Sequence, residues 1–145
     1  MAFEKWYDTS MKSIYKSAGV ILENRKLLVT RAQGKNIFVA PGGKREGQET
    51  DTQTLARELH EELSISIDES TLENFGTWSA EAAGQEGTVV EMHVFIVKTY
   101  YGTITPSNEI EEVKWVNTSD LASIELGSIF KHDVIPKLVE LDLID

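Results

Sequence analysis

Two kinds of hydrophobic pattern follow one another along the chain, and their order sets out the elements. Over residues 13–23, SIYKSAGVILE, β-branched and aromatic residues dominate; Asn24-Arg25 interrupts them, and KLLVTR over 26–31 resumes the pattern. This reads as a β-hairpin. A turn over 33–36 leads to a short strand at Ile37-Phe38-Val39, after which Pro41-Gly42-Gly43 is expected to stop regular structure. The period then changes. Leu55, Ala56, Leu59 and Leu63 recur at helical spacing, and Thr50 followed by Gln53 has the form of a capping box, so the pattern predicts a helix from Thr50 as N-cap to about Leu63.

Asp68-Glu69-Ser70 reads as a turn, and strands return over 74–83 and 88–98 with Gly84-Gln85-Glu86-Gly87 between them. The second is apolar on both sides except at Glu91 and His93, which predicts a mostly buried strand with one partly polar wall. Residues 102–108 read as a loop or short edge strand, 109–116 as a strand, and Ser119-Asp120-Leu121 as the start of a short helix. Asp133 is placed to cap a last helix, with Pro136 tolerated in its first turn. With no regular βα alternation and no internal repeat, the expected class is α/β, a mixed sheet with helices on both faces.

Length and composition narrow this without redirecting it. A chain of 145 residues with 41% hydrophobic and 26% charged residues is expected to form a single soluble domain over 1–145. The lack of any apolar run of about 18 residues argues against a membrane span, and MAFEKWYDTS lacks the features of a leader, so a cytoplasmic location is expected. Without cysteine there is no disulfide, thiolate zinc site or cysteine nucleophile. The net charge of −10 disfavours duplex nucleic acid as a partner, and it opposes any phosphate substrate unless metal ions supply positive charge.

The predicted helix carries Glu58, Glu61 and Glu62 at i, i+3 and i+4, within an arc of roughly 100°. Like charges so spaced weaken an isolated helix, an objection that a bound divalent cation removes. Gly43, Glu49, Arg57, Glu58, Leu59, Glu61, Glu62 and Ile65 stand in the spacing G-x5-E-x7-R-E-U-x-E-E-x-x-U, where U is aliphatic. Over 43–65 this resembles the box of the Nudix (MutT-like) hydrolases, with Ser64 in place of the usual glycine. Phe38-x-x-Pro41-Gly42-Gly43, the hairpin ending in Arg31 and Glu112-x-x-Trp115 also resemble the family.

The resemblance implies a Nudix-type α/β/α sandwich and Mg²⁺-dependent hydrolysis of a nucleotide pyrophosphate linkage. It assigns Glu58, Glu61, Glu62 and the Gly42 carbonyl to Mg²⁺, or Mn²⁺, as hard oxygen ligands. Glu49 and Arg57 would form an internal ion pair holding the Gly43 loop, and Arg31 and Lys44 would contact phosphate. Glu109 resembles a loop glutamate that in some members is a further ligand or the base, although Glu111 and Glu112 stand beside it. The expected substrate is a nucleoside triphosphate or an oxidised purine dNTP. ADP-ribose or a dinucleoside polyphosphate is the alternative, as is a module that binds a nucleotide without cleaving it. A homodimer through Phe3, Trp6 and Tyr7 is a further option. Ser64 is expected to occupy the left-handed C-cap at a cost of roughly 1 kcal/mol. Trp78 and Phe95 read as core residues before base-stacking ones, and His93 and His132 as ordinary histidines before bases.

Overall fold

A computed structural model describes residues 12–82 and 84–145, so the arm bearing Phe3, Trp6 and Tyr7 lies outside the described residues. In chain order the strands are β1 (Lys12–Val20), β2 (Leu22–Glu23), β3 (Lys26–Ala32), β4 (Ile37–Phe38), β5 (Gly42–Lys44), β6 (Glu73–Glu81), β7 (Thr88–Ile96), β8 (Ile110–Val116) and β9 (Glu125–Leu126). The helices are α1 (Asp51–Leu63) and α2 (Ile135–Glu140), the latter preceded by a π-helical turn, Phe130–Val134.

The expected hairpin is present but divided. At Ile21 the chain passes from one sheet to another: β1 runs parallel to β7, whereas β2 folds back on β3. Asn24 and Arg25 have φ of 53° and 61°, the two positive values that a two-residue turn needs to follow strand twist. The main sheet has the order β5-β1-β7-β6, with β1–β7 the parallel pair and its other pairs antiparallel. β2, β3 and β8 form a second sheet, and β4 pairs with β9.

A helix covers each face of the main sheet. Leu55, Leu59 and Leu63 of α1 join Phe95 and Val97 on one side; Ile135 and Leu138 of α2 join Ala18, Val20 and Val94 on the other. These side chains are under 10% exposed, so burial on both faces explains why β7 is apolar in both registers. The result is the α/β/α sandwich with a mixed sheet.

Two expectations are corrected. Pro41-Gly42-Gly43 does not end regular structure, because residues 42–44 form the edge strand β5 beside β1. Glycine is what permits it: a Cβ on Gly42, whose φ is 147°, would lie 2.1 Å from the Ser17 carbonyl oxygen. Nor does Asp133 cap the last helix. Helical structure begins at residue 128, Asp133 lies inside the π-helical turn, and no side chain caps α2; Pro136 does occupy its first turn.

The ends of α1 follow local chemistry. Thr50 accepts the Gln53 N–H and the Gln53 side chain accepts the Thr50 N–H, a complete capping box. At the other end Ser64 takes the left-handed conformation, φ 60° and ψ 29°. The final carbonyls are met from a distant loop: the N–H groups of Thr105 and Ser107 donate to Leu63 and Glu62, each at 2.9 Å, and the Ser107 hydroxyl donates to Glu61. Ser64 Oγ reaches Ser107 Oγ only at 3.4 Å, too long to offset the backbone strain. Ser64→Gly is therefore expected to raise stability by roughly 0.5–1 kcal/mol in urea denaturation; an unchanged or lower midpoint would assign that hydroxyl contact a real stabilising share.

Candidate active site

The acidic end of α1 is organised by one guanidinium. Arg57 donates from Nε and Nη2 to the two oxygens of Glu49, at 2.7 and 3.1 Å, and from Nη2 to the Lys44 carbonyl at 2.9 Å. Its Nη1 bonds Glu58 Oε1 at 2.9 Å and Glu61 Oε2 at 3.2 Å. Glu49 in turn accepts from the Glu46 N–H and the Thr54 hydroxyl, which ties the loop after β5 to the helix. The Arg57 hydrogen bonds hold the Glu49 carboxyl down at about 2, so it stays ionised at neutral pH.

Glu58 and Glu62 are in the opposite condition. Glu62 is 6% exposed, and burial pushes its carboxyl up to about 8; the Gly42 N–H, 2.9 Å from Oε1, opposes this, while Glu58, Glu109 and Glu61 add to it. Burial also raises Glu58, against the pull of Arg57 and with further repulsion from Glu61 and Glu109. Glu109 is thus close enough to share the field of the α1 acids. Gly43 provides room for this cluster, since a Cβ there would lie 2.4 Å from the Glu58 carboxyl carbon.

Among the described residues no three acidic or histidine side chains close around one point, because Glu58 and Glu61 share Arg57 instead. The donor set nevertheless suits a hard divalent cation. The donors are oxygens, and burial leaves the Glu62 carboxyl with a backbone N–H but no cation beside it.

On the face opposite α1 a cleft of ≈ 250 Å³ opens between β1, β7 and the start of the last helical segment. Its walls include Ala18, Val39, Ala80, Met92, Ile129 and Phe130, and its lining reaches Lys16, Gly42 and Gly43. The two glycines therefore border the cleft on one side and the glutamates on the other. Of the sequence-derived residues, Gly42, Gly43, Glu49, Arg57, Glu58, Glu61, Glu62 and Glu109 are brought together here, and Lys44 stands on β5 beside them. Arg31 is engaged by other groups: it bonds Glu112 and Glu111 on β8 and the Lys35 carbonyl, at 3.1, 3.2 and 3.0 Å.

Phe95 is a core residue, and Trp78 is partly buried against the core. Trp78 lies over Gly76 and near Lys137 Nζ, which is 5.5 Å from its ring centroid, while Phe95 stacks on His93 at 4.0 Å. His93 bonds Asp51 and Asn74, at 2.9 and 2.7 Å. Lys16, Met92 and Phe130 were not identified in the sequence. Lys16 carried a signal, a lysine within an otherwise strand-like run; the contribution of Phe130 depends on how the last helix docks.

Comparison with known proteins places the domain and its fold. The NUDIX domain model matches residues 15–138. The solution structure of the E. coli ORF135 protein is 28% identical, with a TM-score of 0.69 over 92% of this chain and 91% of that one. The MutT protein of Methanosarcina mazei Go1 is 19% identical, with a TM-score of 0.72 over 91% of this chain and 96% of that one. A bifunctional NMN adenylyltransferase/ADP ribose pyrophosphatase from Francisella tularensis, complexed with AMP and Mn ion, is 19% identical, with a TM-score of 0.59 over 97% of this chain and 44% of that one. Comparison with curated proteins gives no match. With a domain match across most of its length and the acids of α1 gathered at the glycines of β5, the chain belongs to the NUDIX domain family.

Proposed function

We propose that this enzyme hydrolyses a nucleoside triphosphate, or its oxidised dNTP counterpart, to the monophosphate and pyrophosphate in a Mg²⁺-dependent reaction. The observation that carries this reading is the continuity of the apolar cleft with the acidic cluster across Gly42-Gly43. A base and sugar in the cleft would direct the phosphates towards α1, and ≈ 250 Å³ suits one nucleoside better than two.

Glu58, Glu61, Glu62 and the Gly42 carbonyl would hold Mg²⁺, or Mn²⁺ on the same oxygen donors. When bound, the ion offsets pyrophosphate charge and makes a water more acidic. Arg57 keeps Glu58 and Glu61 at the glycines while remaining tied to Glu49, a positioning role. Glu109, or a carboxylate of α1, orients the attacking water or takes its proton as the phosphorus–oxygen bond breaks.

The test is release of pyrophosphate or phosphate, with and without Mg²⁺, from dNTPs, 8-oxo-dGTP, ADP-ribose and diadenosine polyphosphates. A triphosphate as the preferred substrate, with turnover abolished by EDTA, is expected. Preference for ADP-ribose or a dinucleotide would replace the substrate assignment, and tight binding without turnover would make the protein a recognition module.

A further inference from the structure

Lys16 extends from β1 at the cleft, and its Cα partner across the β1–β5 ladder is Lys44. Directly opposed residues share a face of the sheet, so two ammonium groups stand together where their repulsion is unfavourable. Among the described residues Lys16 has no hydrogen-bonded or ion-paired acceptor; its pKa is lowered first by burial and then by Lys44, with the smaller attraction of Glu58 acting the other way. A chain of net charge −10 thus keeps an uncompensated, half-buried cation beside a second one, at the seam between cleft and acids. Such a site lacks an anion, and a phosphate group would supply hydrogen-bond acceptors for both lysines.

We propose that Lys16, with Lys44 beside it, holds the phosphate that remains attached to the nucleoside, making the lysine pair a nucleoside 5′-phosphate subsite that works without metal. This rests on the nucleotide reading above. It separates two roles: the acids of α1 serve the phosphates that leave, and the opposite face of β5 retains the one that stays. It also makes Lys16 a determinant of monophosphate retention, and therefore of product release.

Calorimetric titration in EDTA with AMP, GMP, CMP and UMP, each beside its nucleoside, tests the proposal on wild type, Lys16→Met and Lys16→Arg. Wild type is expected to bind at least one monophosphate more tightly than the matching nucleoside. Lys16→Met should weaken that monophosphate by about tenfold or more and leave the nucleoside within about twofold, while Lys16→Arg retains most of the affinity. Lys16→Met should also melt higher than wild type, because a half-buried charge is replaced by an apolar side chain of similar length. A purely structural lysine would give the reverse shift. Unchanged monophosphate affinity in Lys16→Met, or no wild-type preference for monophosphate over nucleoside, overturns the proposal. If wild type cleaves a nucleotide of the hydrolysis panel, that failure concerns the lysines alone; if it neither cleaves nor binds any panel nucleotide, the nucleotide reading fails with it.

Discussion

Glu62→Gln is expected to lower turnover by about a hundredfold or more while leaving the fold intact, and to make the metal-free protein more stable at alkaline pH. Glutamine keeps an oxygen acceptor for the Gly42 N–H but removes the charge. Loss of metal or base assistance at one carboxylate accounts for the kinetic effect. The stability effect follows from the Glu62 carboxyl, displaced from 4.5 to about 8 by burial. Between those values the folded state binds more protons than the unfolded one, so wild-type stability without metal falls as pH rises through this window. The glutamine variant lacks that loss: the two proteins should melt together near pH 5 and diverge towards pH 8, by an amount on the order of a few kcal/mol. Mg²⁺ should narrow the difference at pH 8 by stabilising wild type alone. Near-normal turnover, or parallel melting curves across pH, would remove Glu62 from its assigned place.

The two glycines of β5 should respond to the same substitution in opposite ways. In Gly42→Ala the new methyl would meet the Ser17 carbonyl at 2.1 Å and Ala18 Cα at 2.8 Å, backbone atoms that no rotamer change can move, and φ of 147° is itself unfavourable. The strand must leave β1, at a cost of about 4 kcal/mol from overpacking and backbone strain together. That is a large part of the stability of a small domain. In Gly43→Ala the obstructing atoms are the end of the Glu58 side chain, at 2.4–2.8 Å, and this can rotate away. The fold should persist within about 1 kcal/mol, while turnover falls by roughly tenfold to a hundredfold as Glu58 leaves Arg57 and the glycines. Chemical denaturation alongside kinetics separates the two, and equal stability loss in both would show that the cluster does not depend on this spacing.

What the sequence revealed were features written in short stretches. The capping box at Thr50 and Gln53, the leucine face of α1, the left-handed Ser64 and the Asn24-Arg25 turn each depend on a few adjacent residues. The spacing of Glu49, Arg57, Glu58, Glu61 and Glu62 was legible for the same reason, since a helix translates sequence distance into direction.

Features made by distant segments were not legible. β5 consists of two glycines and a lysine, with no hydrophobic alternation, and becomes a strand because β1 is available at the right register. The passage from β1 to β2 lies in an unbroken apolar run, where nothing local marks the change of sheet. Asp133 had the composition of a cap, but the helical segment starts five residues earlier, on the far wall of the cleft. Trp78 had an aromatic face to offer, and Lys137 from α2 already occupies its surroundings.

The edge strand β5 has an effect beyond the reaction. A sheet margin is a template on which another chain can add, and the hazard grows with the length and flatness of the exposed strand. Here that margin is only three residues long, Gly42–Lys44, and the chain leaves it through Arg45, whose guanidinium lies over the Tyr15 ring and bonds Asp51. A foreign strand finds little length to pair with and a charged side chain at the exit. The brevity that brings the backbone up to the glutamates thus also leaves this margin of the sheet, unlike the nine-residue β6 at the other, with little on which a foreign strand can pair.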